Sequence, residues 1–363
     1  MARLVLTGLI LLAEFAVLEA GLRMFGRMEA EPAFQRLFMP DDRMGYRLRP
    51  GISTRYATPE FDNDLTINPQ GVRDDRAIGP KQPNERRVVV LGDSFVFAVQ
   101  VPFADTFGEQ LERGLNASAS SHFWRVINGG VQGYGPVEEW LFYRDIASAF
   151  DPDLVLIVVS VANDAIEAFD AKEKLALGRV PDGTQIQRSQ TAFRQVVRSS
   201  MVLQLFRLRA DQLRARAFAS TAERPLAGYL EHPPPFVTEG LAAASRAFGN
   251  IAAQAEASGA HVVFVLMPAR FQAHDEDFRR VSEIAKRNGN ALVRHAATER
   301  FTRALAPLGE PILDLLPVFE SLDDPPAYYF VQNAHLNARG HRVAADAILN
   351  FLRTDGLAPA DPR

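Results

Sequence analysis

The chain predicts an α/β fold in which a parallel sheet is covered by helices on both faces. Three observations predict it. From Arg87 onward, short apolar runs alternate with stretches of helical length and periodicity. One run, Asp153–Ser160, is almost wholly apolar, as a strand buried on both faces must be. Polar or glycine-rich loops then follow the runs, at the strand ends where open α/β sheets place their chemistry.

Arg87–Leu91 is the first strand, followed by a helix near Ala104–Leu115. Trp124–Ile127 is the second, followed by a glycine-rich loop and a helix near Val137–Ala149. Asp153–Ser160 is the third and His261–Met267 the fourth, the latter preceded by an amphipathic helix near Thr238–Ser258. A long helical stretch, Asp275–Leu308, leads to a short strand at Ile312–Leu313, and a helix near Ala338–Leu352 closes the fold. About a hundred residues separate strands three and four, far more than a crossover helix needs, so a helical insertion is expected at about 170–237. Within it Phe193–Arg216 has helical apolar spacing and six arginines: a solvated face, a lid, or a surface for anionic lipid.

Outside the sheet, the chain divides at residues 28, 86 and 356. Residues 1–28 contain Leu4–Leu22, apolar apart from Thr7, Glu14 and Glu19. As a helix it spans about 28 Å at ~1.5 Å per residue, close to the roughly 30 Å hydrocarbon core. It is read as a transmembrane anchor or a signal segment; a cleavage site after Ala16 or Ala20 lacks the small-x-small pattern, which favours the anchor. Residues 29–86, rich in Pro, Gly, Asp and Arg, form an irregular or short-stranded apron with no motif of its own. Residues 87–356 carry the sheet, and 357–363 are an expected disordered tail. A net charge of −4 gives no reason to expect nucleic acid, and the absence of cysteine excludes disulfides, thiolate metal sites and a cysteine nucleophile.

Four loops carry groups of use to a serine nucleophile. Gly92-Asp93-Ser94 turns the chain at the end of the first strand, with Asp93 read as a turn-stabilising residue. Asn128-Gly129-Gly130-Val131-Gln132-Gly133-Tyr134-Gly135 brings backbone N–H groups within reach of an anion, yet lacks the order of a nucleotide-binding loop. Asn163 follows the third strand, either as an oxyanion donor or as a helix cap. His335 precedes the last helix, as a base or a surface residue; no helix-spaced histidine pair suggests zinc.

Together GDSF, NGGVQGYG, VAND and HLNARGH resemble the four blocks of the SGNH (GDSL-like) hydrolase family, in the family's order, across roughly Arg87–Arg353. NPQGVRDD in the apron resembles anchored bacterial members. The resemblance implies a flavodoxin-like three-layer fold with a five-stranded parallel sheet, Ser94 as nucleophile and His335 as base. It also implies an oxyanion hole of Ser94, Gly133 and Asn163, with no metal or organic cofactor. The family's usual aspartate before the histidine is missing: Asn333 and Gln332 stand at those positions. Either residue, or Asp314, Asp323 or Asp324 folding back, is left to orient His335; the alternatives are a Ser–His dyad and a protein that binds without turnover. The expected activity is a serine esterase removing O-acetyl or other short acyl groups from an envelope or exopolysaccharide carbohydrate. Its alternatives are an O-acetyltransferase on a polysaccharide and a non-catalytic glycan-binding protein. An anchored, exported member implies an inner-membrane location with the catalytic domain periplasmic or extracytoplasmic.

Overall fold

The computed structural model describes residues 13–21, 32–117, 122–176, 200, 202 and 223–358. The apron is more ordered than its composition suggests. It folds as two antiparallel hairpins, β1 (Phe38–Asp41) with β2 (Gly45–Leu48) and β3 (Ser53–Ala57) with β4 (Asp62–Thr66). Their inward side chains, among them Leu37, Phe38, Leu48 and Leu65, are buried against the core of the main domain. Of the two readings of the apron, irregular or short-stranded, the second is the one observed; period-2 alternation over so few residues is too weak a signal to have separated them.

The main sheet has five parallel strands: β5 (Glu85–Gly92), β6 (Phe123–Gly130), β7 (Leu154–Ser160), β8 (His261–Met267) and β9 (Ile312–Asp314). Their order is β6-β5-β7-β8-β9, the flavodoxin-like order in which the chain reverses direction across the sheet beside the first strand. Successive side chains point to opposite faces. Val88 and Val90 therefore join one buried cluster while Val89 and Leu91 join the other. Helices α1 (Phe107–Asn116) and α7 (Ala338–Thr354) bury their apolar stripes in the first cluster. Helices α2 (Pro136–Asp145), α4 (Pro235–Ala257) and α6 (Ala296–Leu305) bury theirs in the second, so both faces are covered.

One expectation changes. The stretch Asp275–Leu308 is not one helix: α5 (Asp275–Arg287) ends before Gly289, which takes φ +77, and α6 starts only at Ala296. A left-handed glycine just past the last turn is a common helix stop. No helix among the described residues is long and apolar enough to cross a membrane. Of the expected anchor, residues 13–21 are described and helical, and 4–12 lie outside the described residues. Glu19 in that helix accepts from Ser200 Oγ at 2.8 Å and Val202 N at 3.1 Å. Apart from positions 200 and 202, the arginine-rich stretch Phe193–Arg216 also lies outside the described residues, as does much of the insertion. Helix α3 (Asp164–Ala176) opens that insertion.

Candidate active site

β5 ends at Gly92, whose φ of +154 and tight packing leave no room for a side chain: a Cβ there would sit 2.4 Å from Val96. The next residues form a single helical turn, Ser94–Phe97. Asp93 caps it, its Oδ1 accepting from Phe95 N at 2.8 Å, and Ala98 closes it with φ +51. Ser94 thus stands at the carboxyl edge of the sheet beside the point where the strand order reverses. Gly130, at the end of β6, presses on the same turn. A Cβ there would lie 2.4 Å from Phe97 N, so only glycine lets strand and turn meet.

His335 reaches Ser94 from the far end of the chain. Its Nε2 lies 2.8 Å from Ser94 Oγ, and its ring packs on Phe95 with centroids 4.7 Å apart. The other ring nitrogen, Nδ1, lies 3.1 Å from the main-chain carbonyl of Asn333. A carbonyl can only accept, so Nδ1 carries the hydrogen and Nε2 is left with a lone pair directed at the serine hydroxyl. This is the tautomer a general base needs.

The orienting group is therefore the backbone of Asn333. The Asn333 side chain turns away, its Oδ1 accepting from Gln100 Nε2 at 3.1 Å. Gln332 contributes its main-chain N–H, which donates to Glu60. Asp314 instead receives Leu316 N on its Oδ1, and neither Asp323 nor Asp324 bonds to the ring.

The oxyanion candidates surround the serine unequally. The N–H groups of Ser94 and Gly133 have no acceptor among the described residues, as oxyanion donors require. Gly133 holds φ +77, and a Cβ there would meet the Tyr46 hydroxyl at 2.9 Å. That hydroxyl donates to Gln132 O at 2.7 Å, and Tyr134 Oη returns a bond to Tyr46 O at 2.6 Å, so the apron fixes the glycine loop. Asn163 lies beside Asp93, but both its amide hydrogens point at carboxyl groups. Nδ2 is 2.8 Å from Glu167 Oε2 and 3.2 Å from Asp93 Oδ2, while Oδ1 accepts from Ser160 Oγ. An oxyanion would compete with Asp93 for the longer of these bonds.

Beneath Asn163 lies a group of buried acids, of which Asp93 and Asp164 belong to the first and third sequence blocks and Glu139 and Glu167 to neither. Asp93, Glu139 and Asp164 are each 3% exposed or less, and among the described residues neither oxygen of Glu139 has a hydrogen-bond partner. Burial pushes the Asp93 carboxyl up, and burial plus the neighbouring acids hold Glu139 and Asp164 well above the usual range. Glu167 is pushed up to about 8, by burial first and then by Asp93. Proton retention keeps several negative charges from facing a developing oxyanion. Among the described residues no group of three or more His, Asp or Glu is arranged to hold a metal ion.

Arg73 is the other residue that sequence patterning hides. It belongs to the apron, is 1% exposed, and donates from Nη1 to Phe97 O at 2.7 Å and to Ala98 O, and from Nη2 to Val101 O at 2.7 Å. No carboxylate among the described residues pairs with it, and burial lowers its pKa. Asn63 of β4 adds a bond to Val99 O at 3.0 Å. The apron therefore grips the segment that follows the Ser94–Phe97 turn.

Residues 231–363 match the model of a family described as ALGX, SGNH hydrolase-like domain, acetyltransferase AlgX. This span contains His335, whereas Ser94, Gly133 and Asn163 precede it. No curated protein matches the chain. Among solved structures it is similar to TesA, at 11% identity over 74% of this chain and 99% of that one, with a TM-score of 0.41. It is similar to a catalytic mutant of Axe2, an acetylxylan esterase from Geobacillus stearothermophilus, at 12% identity over 77% and 97%, TM-score 0.41. It is also similar to a lipase/acylhydrolase from Enterococcus faecalis, at 11% identity over 77% and 100%, TM-score 0.43.

Proposed function

We propose that this chain, whose C-terminal part is similar to an SGNH hydrolase-like domain of the AlgX acetyltransferase type, transfers O-acetyl groups to a polysaccharide through an acetyl-Ser94 intermediate. The observation that carries the chemistry is the 2.8 Å contact between Ser94 Oγ and His335 Nε2, with Nδ1 held by the Asn333 carbonyl. The choice of transfer over hydrolysis rests on the family description, which names an acetyltransferase.

In this mechanism His335 Nε2 takes the Ser94 proton as Oγ attacks the acetyl carbonyl carbon. The oxyanion is received by the N–H groups of Ser94 and Gly133, with Asn163 Nδ2 as third donor once it yields its bond to Asp93. His335 returns the proton to the departing donor oxygen. It then takes the proton of a sugar hydroxyl as that oxygen attacks the acyl carbon, and delivers it to Ser94 Oγ as the acyl–Oγ bond breaks. A carbonyl on Nδ1 stabilises the imidazolium less than a carboxylate would, but it keeps the correct tautomer. In a serine-protease triad, an asparagine in place of the aspartate costs about 10⁴ in turnover because the ring takes the wrong tautomer. A carbonyl, which cannot donate, avoids that loss.

Hydrolysis is the second reading, favoured by the exposure of Gly133 and Asn333, which opens the site to water. The enzyme would be anchored in the inner membrane with this site on the extracytoplasmic side, a location checked by a C-terminal reporter that is active only outside the cytoplasm. A fluorophosphonate probe tests the nucleophile: it labels the wild type and not Ser94→Ala, and no labelling refutes catalysis in favour of a glycan-binding protein. An acetylated oligosaccharide with and without acceptor sugar then separates the two reactions. Acetate release that is unaffected by acceptor refutes transfer.

A further inference from the structure

We infer that Glu60 is a positioning residue for His335: both its carboxylate oxygens hold the backbone segment whose carbonyl orients the imidazole. The inference rests on the reading of Ser94 and His335 as nucleophile and base.

The loop that presents His335 has little of its own to fix it. Val331, Gln332, Asn333 and Ala334 are exposed, Val331 by 78%, and Ala334 takes φ +59, a left-handed conformation that costs a residue with a Cβ. Its internal main-chain bonds are Phe330 N to His335 O at 2.8 Å and the longer Ala334 N to Phe330 O at 3.3 Å. The remaining grip comes from outside. Arg270 Nη1 holds the carbonyls of Phe330 and Val331 at 3.0 and 2.7 Å. Glu60, in the turn between β3 and β4, holds the other side: Gln332 N donates to Oε1 at 2.8 Å and Asn333 N to Oε2 at 2.9 Å.

A cation on two carbonyls and a carboxylate on the next two amides define the path of the loop up to Asn333. The Asn333 carbonyl, the acceptor for Nδ1, is the next polar group along the chain. Charge-assisted bonds are stronger than neutral ones, and a two-point contact fixes direction as well as distance. The apron thus supplies an acid that acts on the histidine through the main chain, where the family pattern has an acid next to the histidine itself. Phe61, adjacent to Glu60, packs edge-on against Phe330 with centroids 5.7 Å apart, which anchors the apron turn to the loop it serves.

The test uses the full chain with Glu60→Ala and Glu60→Gln, followed by two readouts. The first is turnover of a small acetyl ester. Glu60→Ala is expected to lower kcat by about 10- to 100-fold, the cost of an ångström-scale misplacement, with KM within about twofold. Glu60→Gln keeps one acceptor oxygen and should recover part of the loss. The second is the ¹⁵N spectrum of His335, which reports its tautomer whether or not the protein turns over. The wild type should show the Nδ1–H form, and Glu60→Ala a mixture. Should Glu60→Ala not fold, Glu60→Gln, of equal volume, carries both readouts. The inference is overturned if the substituted chain retains kcat within twofold or an unmixed Nδ1–H signal. If the wild type neither reacts with fluorophosphonate nor cleaves the ester, the functional reading fails, and the tautomer spectrum still decides the role of Glu60.

Discussion

Replacing Arg73 by methionine should loosen the Ser94–Phe97 turn from behind. The stem volume is kept, but Phe97 O, Ala98 O and Val101 O lose their donor in a site 1% exposed. Each orphaned buried acceptor costs about 1–3 kcal/mol, so three cost about 3–9 kcal/mol. Removing an ion buried without a counter-charge returns roughly 3 kcal/mol of desolvation, so from the middle of that range, about 6 kcal/mol, the expected net loss is about 3 kcal/mol. For a domain of this size such a loss lowers the thermal midpoint by roughly 6–12 °C. Two of the three carbonyls belong to the end of the Ser94–Phe97 turn and to Ala98, held at φ +51. Turnover should therefore fall by about tenfold or more even well below the midpoint, because Ser94 is no longer held against His335. Urea unfolding and acetyl-ester turnover on the same preparation measure both. A loss under about 1 kcal/mol, against about 1–3 kcal/mol for even one orphaned acceptor, together with unchanged turnover, refutes the role given to Arg73.

Asn333→Asp should leave esterase turnover within about threefold, under 1 kcal/mol at ~1.4 kcal/mol per tenfold, because the side chain faces Gln100 while the ring uses the main-chain carbonyl. A gain of orders of magnitude would show that the new carboxylate reaches Nδ1. Stability should fall between about pH 6.5 and pH 8. Glu167, raised to about 8, gives stability fully present below its unfolded value near 4.5 and lost as pH rises through 8. His341, lowered to about 3, acts oppositely but only below 6.5. In that window a single retained proton changes stability by up to about 1.4 kcal/mol per pH unit, and Glu167→Gln should flatten the slope of thermal midpoint against pH. The same substitution should move the alkaline limb of kcat/KM upward if an ionised Glu167 repels the oxyanion. An unmoved limb rejects that effect.

Much of the fold was legible because periodicity reports burial directly. A strand covered on both faces must be apolar throughout, and Asp153–Ser160 could be read on that ground alone, to within a residue of β7. The glycines of the second block were legible as a loop that brings N–H groups near an anion, whereas the close approach of Gly130 to the Ser94–Phe97 turn shows only in the structure. The break between α5 and α6 was legible in principle from Asn288-Gly289, but continuous helical spacing on both sides concealed it. The apron hid its architecture in strands of four or five residues.

The sequence by itself determined the sheet, the serine at the tip of its first strand and the histidine ahead of its last helix, since each follows from local composition and order. The resemblance of its four blocks to a hydrolase family also implied an acid before the histidine that the sequence lacks. Only the tertiary structure decided what stands in its place, because the answer lies in main-chain atoms and in residues distant along the chain. Asn333 serves His335 with a carbonyl that every residue type possesses, and Glu60 reaches the same loop across 273 positions. Buried acids and Arg73 were hidden for the same reason. The identity of a charged residue does not reveal its burial, which depends on how the apron packs across the sheet edge.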